Sequence, residues 1–278
     1  MSNTIEAWTS IEIAAPTEKA TTGPAAVLSI FNQKGGVGKT TSTISIAAAL
    51  AEYGRKVLVV DFDPQGSLTV GLTGNHEIFP TIYDVLLGQV QVTDALLKTR
   101  VPGVDLLPAG IDLSSAEIQL VNEVGREFTL NRCLAPLIPQ YDYILIDCLP
   151  SLGLLAINAL ATSMGLLIPL QCEFYALKGI GLLEETLEKV QLRINPSISI
   201  KGILPTMVSR SLHHREVLER VIESFGDLVF HTTIPDTIKM SDATMAAQPI
   251  TVYASSSPAA AAYRKVAAEL IQRIEATA

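Results

Sequence analysis

A glycine-rich loop framed by two lysines is the segment of this sequence best suited to chemistry. Glycines tolerate positive φ angles, so backbone N–H groups can converge on an anion, and a helix N-terminus adds partial positive charge. Lys39 is then placed to reach the β- and γ-phosphates of a nucleotide, and the Thr40 hydroxyl to ligate Mg²⁺. The loop therefore predicts a site for ATP and Mg²⁺. It consists of Lys34, Gly35, Gly36, Val37, Gly38, Lys39, Thr40 and Thr41.

Acidic residues at the ends of two apolar runs predict the rest of such a site. Asp61 and Asp63 follow the run that begins at Val57, and Asp147 ends the run that begins at Tyr143. The second run reads as a Walker B strand, which delivers one carboxylate to Mg²⁺ through a water molecule. An aspartate pair at a strand end can also do no more than cap the next turn. The phosphate loop favours the catalytic and metal-binding interpretation.

The loop departs from the strict phosphate-binding pattern GxxxxGK[ST]. Gln33 stands where that pattern has its first glycine, and Lys34 follows it. KGGVGKTT resembles the deviant Walker A motif of the ParA, MinD and nitrogenase iron protein superfamily. This resemblance implies that Lys34 crosses a dimer interface to the partner's nucleotide, in a role similar to an arginine finger. It also implies that Asp63 orients or activates the attacking water and that Asp61 helps to hold the magnesium shell.

Further motifs extend the resemblance to ParA proteins over residues 25–275. The segments QCEFYALKG at 171–179, GILPTM at 202–207 and AYR at 262–264 are similar to segments of that family. One departure lies in the loop after the Walker B strand, where Leu149 replaces a proline. We expect that loop to be less stiff as a conformational switch than in the family.

The same resemblance implies positions for base and DNA contacts. Met207 and Pro235 lie where the adenine pocket of the family is lined, although apolar residues at strand ends also suit a plain core. Arg210 and Lys239 correspond to basic residues that face DNA in the ATP-bound dimer. Such contacts neutralise phosphates without reading bases and depend strongly on salt. Asp236 stands where the family has an arginine, and its charge would repel phosphate.

Apolar runs rich in β-branched residues alternate with helical patterns through most of the chain. Strands that are apolar throughout indicate burial on both faces, and hence a parallel sheet flanked by helices. The pattern predicts an α/β fold with a doubly wound, mostly parallel sheet, helices on both faces and ligands at the carboxyl ends of the strands. The predicted strands cover 27–31, 57–62, 104–107, 143–147, 166–170, 198–205 and 229–234. The predicted helices lie near 39–53, 81–87, 112–122, 126–138, 153–163, 176–193, 212–225 and 257–275.

Composition predicts one domain with a short tail. Residues 1–24 are small and polar, which predicts a flexible tail, and residues 25–278 predict a single ATPase domain. Of the 278 residues 48% are hydrophobic, enough for a large core. No apolar run approaches the roughly 18 residues that cross a bilayer, so we expect a cytoplasmic protein without membrane association. The three widely spaced cysteines suit a reducing compartment.

Charge is unevenly distributed along the chain. The formal net charge is −8. Residues 1–194 hold 12 basic and 20 acidic residues, whereas residues 195–278 hold 8 of each. A surface that binds a polyanion must therefore be a local patch, and the final third of the chain is its predicted place.

Taken with these features, the resemblance implies an ATPase that dimerises around ATP, binds double-stranded DNA nonspecifically and segregates or positions a chromosome or plasmid at the nucleoid. The resemblance implies slow hydrolysis that a ParB-like or adaptor protein stimulates. One alternative keeps nucleoid binding but positions a protein assembly. A MinD-like membrane-associated ATPase needs a terminal amphipathic helix, which the alanine-rich segment 258–278 does not suggest. An iron–sulfur reductase needs paired cysteines, and Cys148 has no partner close in sequence.

Overall fold

A seven-stranded sheet forms the centre of the computed structural model, which describes residues 3–16, 23–173, 176–209 and 211–275. The strand order is β3-β4-β2-β5-β1-β6-β7. Every neighbouring pair is parallel except β3 and β4, which are antiparallel. The predicted mostly parallel sheet is thus confirmed. The strands are β1 Ala26–Ile30, β2 Val57–Phe62, β3 Leu97–Lys98, β4 Val104–Leu107, β5 Tyr143–Cys148, β6 Gly165–Gln171 and β7 Ser199–Thr206.

Helices connect the strands and cover the sheet. Those predicted near 39–53, 81–87, 153–163, 176–193, 212–225 and 257–275 agree with the structure to within a residue at each end. Those predicted near 112–122 and 126–138 are shorter in the structure, and the helices at 3–9, 67–73, 238–245 and 250–253 were not predicted. The α-helices of the described residues are α1 Asn3–Thr9, α2 Lys39–Glu52, α3 Ser67–Thr73, α4 Ile82–Leu86, α5 Ala116–Leu120, α6 Thr129–Leu134, α7 Leu154–Thr162, α8 Ala176–Arg193, α9 Leu212–Phe225, α10 Ile238–Met245, α11 Ile250–Tyr253 and α12 Pro258–Glu275.

The sheet is buried on both faces. Successive residues of β2 alternate between two apolar clusters, with Leu58 and Val60 in one and Val57 and Val59 in the other. Helices α7, α8 and α9 contribute to the first cluster, and helices α2 and α12 contribute to the second. This burial explains why the strands are apolar throughout rather than alternating, and it confirms helices on both faces.

Helix α12 packs against the core along most of its length. Its buried residues belong to the same cluster as α2, and the Tyr263 hydroxyl lies 3.1 Å from Ser42 Oγ on α2. The Arg264 guanidinium pairs with Glu52, with Nε 2.5 Å from a carboxylate oxygen. The sequence-based interpretation of this segment as a core-packed helix is confirmed for residues 258–275. Among the described residues, none of the helices combines the length and apolar character needed to cross a bilayer.

The predicted strand over 229–234 does not form. The segment runs beside β7 but forms no continuous ladder with it: Val229 and Ile203 make an isolated bridge, and the Ile234 N–H donates to the Pro205 carbonyl at 2.9 Å. Phe230 donates its N–H to the Ile203 carbonyl at 2.9 Å, and a parallel ladder would next require the N–H of residue 205. Pro205 has none, so the ladder stops there. The Phe230 carbonyl instead accepts a hydrogen bond from Trp8 Nε1 at 3.4 Å.

The N-terminal segment contains a helix, where the sequence predicts a tail without structure. Ile5 and Trp8, three residues apart on α1, pack against the apolar cluster. The Trp8 ring lies 4.3 Å from the His231 ring, measured between centroids. The Ala14 carbonyl accepts a hydrogen bond from Gln272 Nε2 at 2.9 Å. The segment is short and polar, and its order comes from contacts with residues more than 200 positions away.

Trp8 is the one tryptophan of the sequence, so its fluorescence reports directly on α1. We expect Ile5→Asp to undock the helix, because an aspartate cannot replace an apolar contact at that face. Trp8 emission should shift to longer wavelength, and the free energy of unfolding in urea should fall by about 1 kcal/mol. Glu6→Gln, at an exposed position of the same helix, is the matched control. Unchanged emission in Ile5→Asp would show that α1 is not docked.

Candidate nucleotide site

The phosphate loop connects β1 to α2 at the carboxyl edge of the sheet. Gly36 and Gly38 have φ angles of 74° and 84°, a region that side chains disfavour. A Cβ built on Gly35 or Gly36 would meet nothing within 4 Å, so the loop borders open space. Gly38 is the N-cap of α2 and supplies no side-chain cap. The first N–H groups of α2 are therefore available to an anion such as a phosphate.

Lys39 and Thr40 extend from the first turn of α2 into the site. Lys39 is buried, and its Nζ donates to the Lys34 carbonyl at 3.1 Å, across the loop. Burial lowers the pKa of the Lys39 ammonium, an effect that Asp147 and Asp63 oppose. The Thr40 hydroxyl donates to Asp147 Oδ2 at 2.7 Å. The hydroxyl and the carboxylate predicted to share the metal shell are thus already in contact.

Asp147 and Asp61 end neighbouring strands and face each other in register. Both are almost completely buried. Burial, together with the nearby charge of Asp61, raises the pKa of Asp147 to about 8. Burial raises the pKa of Asp61 to about 6, although hydrogen bonds from Thr69 oppose the rise. A second hydroxyl, that of Thr43, donates to Asp147 Oδ1 at 3.2 Å, a contact that the sequence interpretation missed.

The Asp61 carboxylate lies beside Asp147 and also accepts hydrogen bonds from another part of the protein. Its Oδ2 accepts the backbone N–H of Thr69 at 2.8 Å and the Thr69 hydroxyl at 2.7 Å. It therefore anchors α3, the helix that follows the Asp63 loop. Asp63 is half-buried, and its Oδ1 accepts the N–H of Gln65 at 2.9 Å. The structure thus brings Asp61, Asp63 and Asp147 to one edge, as the sequence predicts.

Lys34 lies at the exposed rim of the loop. Its Nζ is 2.5 Å from Glu173 Oε2 and 3.0 Å from Gln171 Oε1, both at the end of β6. The side chains of Lys34 and Glu173 are 49% and 46% exposed. The hydrogen bond from Lys34 lowers the pKa of Glu173. Both partners belong to the QCEFYALKG segment, but their contact with Lys34 was not predicted.

A cavity of about 140 Å³ adjoins the loop on the side of α2. Met207 and Pro235, the predicted adenine contacts, both line it together with Gly38 and Thr41. Met207 has a φ angle of 52°, unusual for a residue with a side chain. Thr206, next to it, donates its hydroxyl to the Val37 carbonyl at 2.9 Å. The cavity wall is thereby tied to the phosphate loop.

Comparison with known proteins places this geometry in a family. Residues 25–200 match a family model described as an AAA domain. An uncharacterized protein of Mycobacterium tuberculosis is 53% identical over 93% of this chain and 82% of its own length. The chromosome-partitioning ATPase Soj of Treponema pallidum is 45% identical over 88% of this chain and 97% of its own length.

The chain belongs to the ParA/MinD family of P-loop ATPases. A crystal structure from Mycobacterium smegmatis, described as cobyrinic acid a,c-diamide synthase with bound ADP and magnesium, is similar to it. The TM-score is 0.80, with 40% identity, over 91% of this chain and 97% of that one. The doubly wound fold and the sequence-based family assignment are therefore confirmed.

The residues expected to contact DNA in this ParA/MinD ATPase are only partly described. Arg210 lies outside the described residues. Lys239 is exposed in the first turn of α10, and its N–H is capped by the Thr237 hydroxyl at 3.4 Å. Asp236 is exposed nearby. Arg264, a further basic residue, already pairs with Glu52.

The site fits Mg²⁺ in the manner of this family. The described part of the chain contains no group of three or more histidine, cysteine or acidic residues that could hold a metal ion. A Mg²⁺ site built from one hydroxyl, phosphate oxygens and waters needs no such group. Thr40, Asp147 and Asp61 are the residues that would hold the ion, directly or through water. Cys148 and Cys172 are buried free thiols, and Cys133 is half-buried.

The raised pKa of Asp147 predicts how stability changes with pH. In the unfolded chain an aspartate carboxyl has a pKa of about 3.9. Between about pH 4 and about pH 8 the folded protein therefore holds a proton that the unfolded chain has lost. The free energy of unfolding of the nucleotide-free protein should fall as the pH rises through this window. Asp147→Asn should remove most of that fall, measured by urea unfolding in EDTA.

Asp227→Asn is the control for this measurement, because Asp227 is exposed and lies near the amino ends of the strands, where the Lys201 and Leu228 carbonyls both accept hydrogen bonds from Arg273. It should leave the pH dependence unchanged. Asp61 contributes a smaller fall that ends near its pKa of about 6, so Asp147→Asn should keep a residual slope below that pH. An equal slope in Asp147→Asn and the unmodified protein above about pH 6 would contradict the assignment.

Proposed function

We propose that this protein is an ATPase that dimerises around ATP, binds double-stranded DNA without sequence preference, and segregates or positions a chromosome or plasmid. The observation that carries the proposal is the second lysine of the loop. Lys34 is exposed at the rim, whereas Lys39 is buried within the site. One lysine therefore serves the nucleotide of its own subunit, and the other, held at the exposed rim by Glu173 and Gln171, can reach outward when those contacts are released.

In our proposal the residues of this chain divide the work of hydrolysis. The N–H groups at the start of α2 and the Lys39 ammonium bind the phosphates and neutralise their charge. The Thr40 hydroxyl and, by way of a water molecule, the Asp147 carboxylate would hold Mg²⁺. Asp63, at the half-buried edge, orients the attacking water. A bound Mg²⁺ supplies electrostatic stabilisation of the transferred phosphoryl group.

In this proposal Lys34 couples the binding of ATP to dimerisation. In the single chain it is held by Glu173 and Gln171 of its own subunit. An exposed ion pair contributes about 0–1 kcal/mol, so the triphosphate of a facing subunit can displace it. Each Lys34 then neutralises charge on the partner's phosphates. Loss of the γ-phosphate removes that attraction and releases the dimer.

DNA binding follows from dimerisation in this proposal. The net charge of −8 disfavours binding of a polyanion by the surface as a whole. Two copies of a local patch around Arg210 and Lys239, brought together, double the positive charge that faces the backbone. Binding of this kind is nonspecific and salt-dependent. The cargo can equally be a protein assembly carried on the nucleoid, with the same ATPase cycle.

The partner and the location belong to the same proposal. We expect a homodimer with ATP at its interface, stimulated by a ParB-like or adaptor protein, in the cytoplasm and on the nucleoid. Support comes from the relative named as a chromosome-partitioning ATPase. A MinD-like membrane switch is not favoured, because the apolar face of α12 packs against α2.

Lys34→Ala should abolish ATP-dependent dimerisation, because nothing then neutralises the partner's phosphates across the interface. Light scattering after size exclusion, with a non-hydrolysable ATP analogue, measures the mass directly. Lys189→Ala, on an exposed lysine near the far end of α8, is the matched control and should still dimerise. A monomeric unmodified protein under saturating analogue would refute the proposal, and so would a fully dimeric Lys34→Ala.

Glu173→Gln should favour the dimer, because Lys34 loses the charge that holds it in its own subunit. An exposed pair of about 0–1 kcal/mol predicts up to about a fivefold gain in the dimerisation constant. Sedimentation at several protein concentrations with the ATP analogue measures it. A weaker dimer would show that Glu173 contributes to the interface instead.

Lys239→Glu should weaken nonspecific duplex binding in the ATP state while leaving ATP-dependent dimerisation unchanged. Each DNA phosphate that is no longer neutralised should reduce the slope of log affinity against log salt by about 1. Fluorescence anisotropy with a random duplex over a salt series gives both values. Lys189→Glu makes the same charge change elsewhere and should have a smaller effect. Equal reductions in the two variants would remove Lys239 from the DNA surface.

A further inference from the structure

Glu117 on α5 makes a contact that the proposed mechanism does not use. Its Oε1 accepts the backbone N–H of Leu155, in the first turn of α7, at 3.0 Å. The N-cap residue of α7 is Gly153, which has no side chain to supply that acceptor. The carboxylate of Glu117 therefore caps α7 from another segment of the chain. Helix α7 follows the loop that begins at Asp147, so this cap holds the far end of that loop.

The absence of a side chain at Gly153 leaves room for this contact. The three atoms nearest to a Cβ built on Gly153 all belong to the Glu117 carboxyl group, and the closest would overlap with it. The φ and ψ angles of Gly153, −89° and −168°, are those of extended backbone that any residue adopts. Glycine at this position thus leaves room for the Glu117 carboxyl group, and the backbone conformation does not itself need glycine.

Glu117 belongs to the segment 109–117, and the other end of this segment contacts the Asp63 loop. The Ala109 N–H donates to the Thr69 hydroxyl at 3.0 Å, and that hydroxyl donates to Asp61 at 2.7 Å. A Cβ on Gly66 would lie 3.3 Å from the Ala109 carbonyl oxygen. Residues 109–117 are therefore bonded at one end to the Asp61–Thr69 pair and at the other to α7.

We infer that Glu117 is a positioning residue that couples the loop after Asp147 to the loop of Asp63 through residues 109–117. The inference rests on the proposed ATPase function of these two loops. The Glu117 cap constrains the loop after Asp147 from another segment of the chain. Two apolar residues that follow Glu117 in the chain lie on the surface: Ile118 is 77% exposed and Val124 is 96% exposed.

Three variants separate coupling from simple helix capping. Glu117→Ala removes the cap and the link. Glu117→Gln keeps an acceptor and should behave like the unmodified protein. Glu117→Ala combined with Gly153→Ser gives α7 a local N-cap, because the space left by the carboxylate admits a serine side chain. The double variant thus restores the cap but not the connection to residues 109–117.

Steady-state ATPase kinetics is the first measurement. Glu117→Ala should lower kcat on the order of tenfold, as expected when a residue that supports the site is removed, with little change in KM. Its melting temperature should fall by about 2–4 °C, the usual effect of removing a helix cap in a protein of this size. The double variant should recover the melting temperature but not kcat. Recovery of both would show that Glu117 is only a cap and would overturn the inference.

Backbone hydrogen exchange of the nucleotide-free protein tests the coupling without any hydrolysis. In Glu117→Ala, exchange should rise at least severalfold in both 148–157 and 63–70. In the double variant it should return to normal in 148–157 and stay raised in 63–70. Unchanged exchange in 63–70 in both variants would overturn the inference. If the unmodified protein does not hydrolyse ATP, the proposed function fails, and the exchange pattern still decides whether Glu117 couples the two loops.

Discussion

The burial of two facing carboxylates at the carboxyl edge of the sheet is the constraint around which this site is arranged. Asp61 and Asp147 end adjacent parallel strands, so the register that pairs β2 with β5 also forces their side chains together. Burial and like charge both favour the protonated forms. The hydroxyls of Thr40 and Thr69, which donate hydrogen bonds to the carboxylates, and the positive charge of Lys39 offset this cost. A bound cation would therefore stabilise this site, because it would offset the repulsion between the two buried carboxylates.

The interior and the rim of the site differ in rigidity for a physical reason. Asp61, Asp147 and Lys39 are buried, and moving any of them would leave a charged or polar group without partners. Lys34 and Glu173 are about half exposed, where water replaces a missing partner at little cost. The interior residues of the site are thus held in place, whereas the ion pair at its rim is held weakly.

The loops of the site are connected to one another through the body of the protein. Thr69 joins Asp61 to Ala109, and Thr206 joins the wall of the cavity beside α2 to Val37 in the phosphate loop. Each of these bonds links segments distant in sequence by means of a small hydroxyl side chain. A hydroxyl both donates and accepts, so one residue can bridge two backbone segments within a packed edge. These hydrogen bonds therefore place the loops of the site in direct contact with neighbouring segments.

Much of the fold and the site could be read from the sequence, because both depend on short-range signals. Uniformly apolar runs predict buried parallel strands, and a glycine loop between strand and helix predicts a phosphate site. Six of the seven predicted strands formed, with their ends within about a residue. The carboxyl-edge location of Asp61, Asp63 and Asp147 follows from parallel strands alone.

The tertiary structure decided what depends on neighbours. The run over 229–234 is as apolar as a strand, but Pro205 on the adjacent strand cannot donate the next ladder bond. The tail looked unstructured, yet Trp8 packs beside His231. Glu173 meets Lys34 across 139 positions of sequence. Local patterns determine which elements form, whereas hydrogen bonds and ion pairs between distant segments depend on which of those elements the fold places side by side.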